Sequence, residues 1–276
     1  MESTMSIRVG TSGFSFDDWK GTIYPQHLKK EDWLRYYENE LGFDTLEVNF
    51  TYYTLPSPRS LEGMSRKTSD SFQFVVKANR GMTHEIKDKT TQKFLNNNET
   101  FDKFLYSLKP LIDNGKLGCV LAQFPYSFYP RAENLEYLKR FKELIGDIPL
   151  IIEFRNKVWH KGKTLQFLKE HLMGYCAVDE PKLPQLMPFH PEATSDIGYV
   201  RLHGRNPHWF NVPSSVRYDY LYSEEELKEF ITPIKTIASK TKKVFIFFNN
   251  CHAGSAAKNA TMLIRMLKGK GAASKI

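Results

Sequence analysis

Eight short apolar runs rich in β-branched and aromatic residues recur along the chain: IRVGT (7–11), DTLEVN (44–49), FQFVVK (72–77), LGCVLAQ (117–123), LIIEF (150–154), YCAVD (175–179), YVRLH (199–203) and VFIFFN (244–249). Runs of this length suit strands, and most of the stretches between them carry helical periodicity. Trp33, Leu34, Tyr37 and Leu41 form an apolar stripe after the first run, and Leu135, Leu138, Phe141 and Ile145 form one after the fourth. Leu227, Phe230, Ile231, Ile234 and Ile237 form a third, opened by a Ser223/Glu226 capping box and expected to kink at Pro233. Ala256, Ala260, Leu263 and Leu267 supply a closing helix. Strand and helix alternating eight times, with no linker and no repeat of fixed period, predict an α/β fold: a single (β/α)8 TIM-like barrel over residues 1–276. The competing fold, an open doubly wound sheet, usually has a GxGxxG turn after its first strand, and GTSGFSFDDW (10–19) lacks that spacing. EPKLPQLMPFHPEATSDIG (180–198) holds four prolines and no helical stripe, so an extended loop is expected in place of the sixth helix.

A barrel gives the sequence a direction, because active sites form where the strands end. The runs end in or lead into Thr11 and Ser12, Glu47 and Asn49, Lys77, Gln123, Glu153 and Arg155, Asp179, His203, and Asn249 and Asn250. Strand parity puts Glu47 with Asn49, Glu153 with Arg155, Arg201 with His203, and Phe247 with Asn249. If their apolar neighbours face the helices, these polar groups converge on the mouth of the lumen. Buried charge there must pair with itself, with water or with a ligand. The loop GRNPHWFNVPSSVRYDYLYS (204–223) adds Arg205, Trp209 and further rings, a mixture that can hold phosphate while stacking on bases or sugars.

Lys and Arg number 39 against 31 Asp and Glu, a net charge of +8 that suits an anionic small molecule or nucleic acid as partner. Part of that excess lies in an expected flexible basic tail at 267–276. Three cysteines without CxxC spacing indicate neither a disulfide framework nor a cysteine-rich zinc site. With no secretory h-region and no apolar run long enough to span a bilayer, the expectation is a cytoplasmic protein without a membrane partner.

Seven blocks in order, VGTSGFSFDDWKGTIYP (9–25), LEVNFTYYTLP (46–56), FVVKANRGMTH (74–84), LAQFP (121–125), IEFRNKVW (152–159), YVRLHGRN (199–206) and FFNNCHAGSAAKNA (247–260), resemble the YecE-like family of domains of unknown function. The resemblance covers nearly the whole chain and implies a TIM-barrel-like fold without supplying a reaction. A looser analogy links the barrel to those of endonuclease IV and xylose isomerase, which use metals at the strand ends. The multi-histidine ligand set of endonuclease IV is missing, and neither HxH nor HExxH occurs here.

The chemistry expected is that of a hydrolase or lyase acting on a phosphate ester or nucleic acid. Glu47, Glu153, Asp179 and His203 are the candidate acid–base groups. Lys77, Arg155 and Arg205 are the anion clamps. Asn49, Gln123, Arg201, Trp209, Asn249 and Asn250 are the further binding residues. A single divalent metal on Glu47, Glu153, Asp179 and His203 is a possible cofactor. Two alternatives stay open: a carbohydrate hydrolase using paired carboxylates, and a module that binds nucleic acid without turning it over. Cys251 has no well-placed base and is a poor candidate nucleophile. Cys119 and Cys176, inside apolar runs, read as core.

Overall fold

The structure, a computed structural model, describes residues 6–269. Its strands are β1 (Ser6–Thr11), β2 (Thr45–Val48), β3 (Gln73–Lys77), β4 (Leu117–Gln123), β5 (Leu150–Glu153), β6 (Met173–Asp179), β7 (Ile197–Leu202) and β8 (Lys243–Phe248). All are parallel, in the order β1-β8-β7-β6-β5-β4-β3-β2, so the sheet curls into the expected barrel. The helices are α1 (Trp33–Asn39), α2 (Pro58–Ser65), α3 (Arg80–Thr83), α4 (Asn98–Asp113), α5 (Ala132–Ile145), α6 (Gly162–Glu170), α7 (Ser214–Arg217), α8 (Glu224–Ala238) and α9 (Ser255–Lys268). No helix lies between β6 and β7, where the proline-rich segment crosses as an extended loop. Of the expected basic tail, α9 takes residues through Lys268, and 270–276 lie outside the described residues.

The long helices bury most of the stripes their sequences predict, with Leu135, Ile231 and Leu267 only partly covered and Tyr137 joining the buried face of α5. In α5, Tyr137, Leu138, Phe141 and Ile145 are buried, each contributing roughly 1.5–3 kcal/mol by removal from water. Both halves of the capping box form at the start of α8, where the Ser223 hydroxyl accepts from Glu226 N and the Glu226 carboxylate accepts from Ser223 N.

The ring closes by an unusual joint. Between β1 and β2 the ladder is reduced to one bridge, Ser12 with Glu47, where Gly13 N donates to Glu47 O at 2.9 Å. Deeper in the seam the hydroxyl of Tyr37, from α1, stands between the strands. It accepts from Thr11 N at 2.9 Å and donates to Thr45 O at 3.1 Å. Gly10 makes room for it, because a Cβ there would lie 2.3 Å from Thr45 O and 3.0 Å from the Tyr37 oxygen. Below, Arg8 donates to both the carbonyl and the carboxylate of Asp44. Side chains thus satisfy backbone groups that a continuous ladder would have paired.

Candidate functional site

Arg201 is the hub of the lumen. Strand parity on β7 puts Tyr199, Arg201 and His203 on one face, and Arg201 is 1% exposed. Its Nη1 donates to Glu153 Oε2 at 2.6 Å, and its Nη2 donates to Glu47 Oε1 at 2.7 Å. Tyr199 donates its hydroxyl proton to Glu47 Oε2 at 2.6 Å. Both oxygens of Glu47 therefore have a donor, which ties this residue to Arg201 as its anchor.

Glu153 is different. Its second oxygen, Oε1, lies 2.7 Å from Arg155 Nε and 3.4 Å from His203 Nε2, yet has no aligned hydrogen bond. Arg155 continues outward to Glu180, whose carboxylate also accepts from Met187 N at 3.0 Å. The result is an alternating chain, Glu47–Arg201–Glu153–Arg155–Glu180. Each charge has an opposite neighbour, the condition under which burial is tolerable. Burial alone would raise the Glu153 carboxyl, but the Arg155 and Arg201 guanidiniums hold it well below the usual range. Glu180 goes the other way, since burial outweighs Arg155 and lifts it to about 7.

His203 is fully buried, and burial together with the Arg155 charge pushes its pKa well below the ordinary imidazole value, so the ring is neutral. Its Nδ1 meets the Asn249 amide nitrogen at 2.9 Å, which assigns Nδ1 as acceptor and places the ring proton on Nε2. Nε2 lies 3.4 Å from Glu153 Oε1 without an aligned hydrogen bond to it. Asn49 Oδ1 is likewise buried and unpartnered.

Lys77, at the end of β3, donates to Gln123 Oε1 at 2.8 Å and rests over the Tyr52 ring at 4.6 Å. Among the described residues no carboxylate lies within 4.0 Å of it. Burial, followed by the Arg201 charge, lowers it to about 7. Tyr52 in turn meets His84 edge to face, and burial and Lys77 push that imidazole down to about 4.

Of the expected site residues, Glu47, Lys77, Gln123, Glu153, Arg155, Arg201, His203 and Asn249 share this polar assembly, and Asn49 lines the cleft above it. Three others lie elsewhere. Asp179 points to the opposite face of β6, where Arg205 holds both its oxygens and the Tyr222 hydroxyl donates to it at 2.7 Å. Arg205 is committed to that outer network, with Glu226 and Glu229 of α8 as its other partners. Asn250 donates to Tyr220 O and Asn259 Oδ1 and ties a loop to α9. Asp179 thus cannot share a metal with Glu47 and Glu153, and no three His, Cys, Asp or Glu side chains converge for metal binding among the described residues. Glu180 and Tyr199 were not expected as site residues. The parity that carries Cys176 to the lumen would have singled out Glu180, one residue beyond the strand's apparent end.

Above this floor lies a cleft of about 350 Å³, lined by Ser12, Glu47, Asn49, Asn249 and the rings of Phe14 and Tyr218 among others. Tyr218 and the buried Trp209 stand over His203, with ring centroids 6.1 and 6.3 Å away. Arg217 fixes Trp209 by donating to its carbonyl at 2.8 Å. The Cys251 thiol also borders the cleft, but it donates to Ser12 O, and burial pushes its pKa up.

The model of the family described as "Protein of unknown function DUF72" matches residues 8–275. The UPF0759 protein YunF of Bacillus subtilis (strain 168) is 33% identical over 273 residues, 95% of this chain and 94% of that protein. A crystal structure of a DUF72 family protein from Thermotoga maritima MSB8 superposes with a TM-score of 0.87 at 44% identity, covering 96% of this chain and 100% of that one. One from Enterococcus faecalis V583 gives 0.79 at 26%, covering 98% and 100%. The chain belongs to the DUF72 family, for which YecE-like is another name.

Proposed function

We propose that the mouth of the barrel binds a small anionic substrate, such as a phosphate ester, and that the protein is a hydrolase or lyase. The observation that carries this reading is the neutral His203 Nε2–H, buried beside Glu153 without a hydrogen-bond partner. Buried polar groups are normally satisfied, so an unpaired donor at the strand ends, beneath the rings of Trp209 and Tyr218, is one that a substrate oxygen would complete. Arg155, which stays charged, offers further positive charge for an oxyanion. The cleft volume falls in the range of small-molecule sites. Glu47, with both oxygens engaged, makes a paired-carboxylate glycosidase the weaker reading.

A thermal-shift screen against phosphate esters and small carboxylates tests this. At least one anion should raise the Tm of the wild type, and the rise should shrink with Arg155→Met and His203→Ala. Equal shifts in all three proteins, or none in any, would overturn the reading.

A second reading rests on the exposed rings around the mouth, Tyr53 at 70%, Phe210 at 46% and Phe50 at 45%, on which bases of single-stranded nucleic acid could stack. Affinity falling steeply with salt, with little sequence preference, would favour it.

A further inference from the structure

Lys77 stands apart from the other lumen cations. Arg201 and Arg155 each hold carboxylates, whereas the Lys77 amine has a neutral amide and an aromatic face as its contacts. It sits at the end of β3, on the face where barrel enzymes carry their reacting groups, and it is only partly buried. An amine so placed, with the Arg155 guanidinium after β5 and the unpaired His203 donor after β7 at the same end of the barrel, has the surroundings of a nucleophile rather than of a structural ion pair.

We infer that Lys77 is a carbonyl-capturing amine and that the substrate of this mouth is a small anionic aldehyde or ketone. The inference rests on the anion-binding reading above and narrows its substrate class. The unprotonated Nζ adds to the carbonyl carbon and forms the C–N bond. The carbonyl oxygen leaves as water with the two amine hydrogens, so the sum is R–NH2 + O=CR′R″ → R–N=CR′R″ + H2O, with no change of oxidation state. A proton from solvent converts the imine to an iminium. The iminium then accepts the electron pair and becomes an enamine, either when a C–H bond on the adjacent carbon breaks and the proton passes to solvent or when a C–C bond to that carbon breaks and the fragment leaves as a carbonyl compound. Protonation of the enamine and addition of water then release the product and the free amine, which is lyase chemistry. Burial and the Arg201 charge leave a substantial share of the amine unprotonated at neutral pH. The Arg155 guanidinium and the His203 Nε2–H are the groups at hand for the substrate's anionic group and its carbonyl oxygen.

Glyoxylate, the smallest anionic aldehyde, is the probe. The protein is incubated with limiting glyoxylate and sodium cyanoborohydride at pH 7, then digested and mapped by mass spectrometry. The expected result is a principal carboxymethyl adduct at Lys77, at least tenfold above any exposed lysine, and reduced by added inorganic phosphate. Label spread over surface lysines with Lys77 unmodified would overturn the inference. If anions raise the Tm as described above but Lys77 stays unlabelled, the imine is wrong and the anion site stands. If Lys77 is labelled and no anion competes or stabilises, the amine is reactive and the anion reading fails.

Discussion

Arg201 and Glu153 form a fully buried ion pair, Nη1 to Oε2 at 2.6 Å, and the same guanidinium holds Glu47 at 2.7 Å. Removing the cation alone leaves two carboxylates facing each other in the lumen. Arg201→Met should lose about 3–5 kcal/mol of stability in urea unfolding. Adding Glu47→Gln and Glu153→Gln to it should recover much of that loss, because the buried charge goes with its partner. A triple variant as unstable as the single one would show that Arg201 acts by shape rather than by charge.

Lys77 titrates at about 7 in the fold against 10.5 for a free lysine. A depressed amine opposes folding while both states are protonated, so its cost is fully present below about 7. From there to 10.5 the unfolded chain keeps a proton that folding must expel, which becomes easier as the pH rises, and the cost fades. Lys77→Met should therefore raise the urea midpoint at pH 7, and the gain should vanish by pH 10.5. A gain independent of pH would point to packing instead.

Asp179 and Tyr222 belong to the wall between the sheet and α8. Tyr222→Phe removes a donor to the Asp179 carboxylate and the acceptor of Gly204 N, and should cost about 1.5–3 kcal/mol. Anion-induced Tm shifts should be unchanged in this variant. A loss of those shifts would return Asp179 to the site.

All three thiols should resist alkylation in the native protein at neutral pH. Burial raises Cys119, Cys176 and Cys251 alike, and the thiolate is the reactive form. Titration with a thiol reagent should read none before urea and three after. Fast reaction at Cys251 would reopen its candidacy as a nucleophile.

The barrel was legible because strand period and helix period alternate eight times along the chain, and because prolines mark the one crossover without a helix. The inward set was legible for Glu47, Glu153, Arg155, Arg201, His203 and Asn249, since parity within a strand is local. Parity fails at Asp179, because the apparent end of the β6 run falls on an outward residue. Whether a strand's last residue faces the lumen depends on the register of its neighbours, which only tertiary pairing fixes. The outer Arg205–Asp179 pair was illegible for the same reason, as it depends on Glu226 and Glu229 from a helix some twenty residues onward. The partnership of Tyr199 with Glu47 joins residues 152 apart, and no pattern within either strand announces it.

Tyr37→Phe should leave Thr11 N and Thr45 O without the group between them, at about 1–3 kcal/mol. Hydrogen exchange at the Thr11 amide should quicken more than at amides of β4 or β5. Equal acceleration throughout would mean that the phenol supports the whole fold rather than its joint.

At the β1–β2 joint a helix's side chain stands between two strand backbones beside a single bridge, so the seating of α1 and the closing of the ring are coupled. The cleft walls, Ser12 and Gly13 on one side and Leu46 to Phe50 on the other, straddle the same joint. The cleft is thus cut at the joint with the shortest ladder of the ring, where a small parting of two strands would widen it and leave the remaining seven junctions intact.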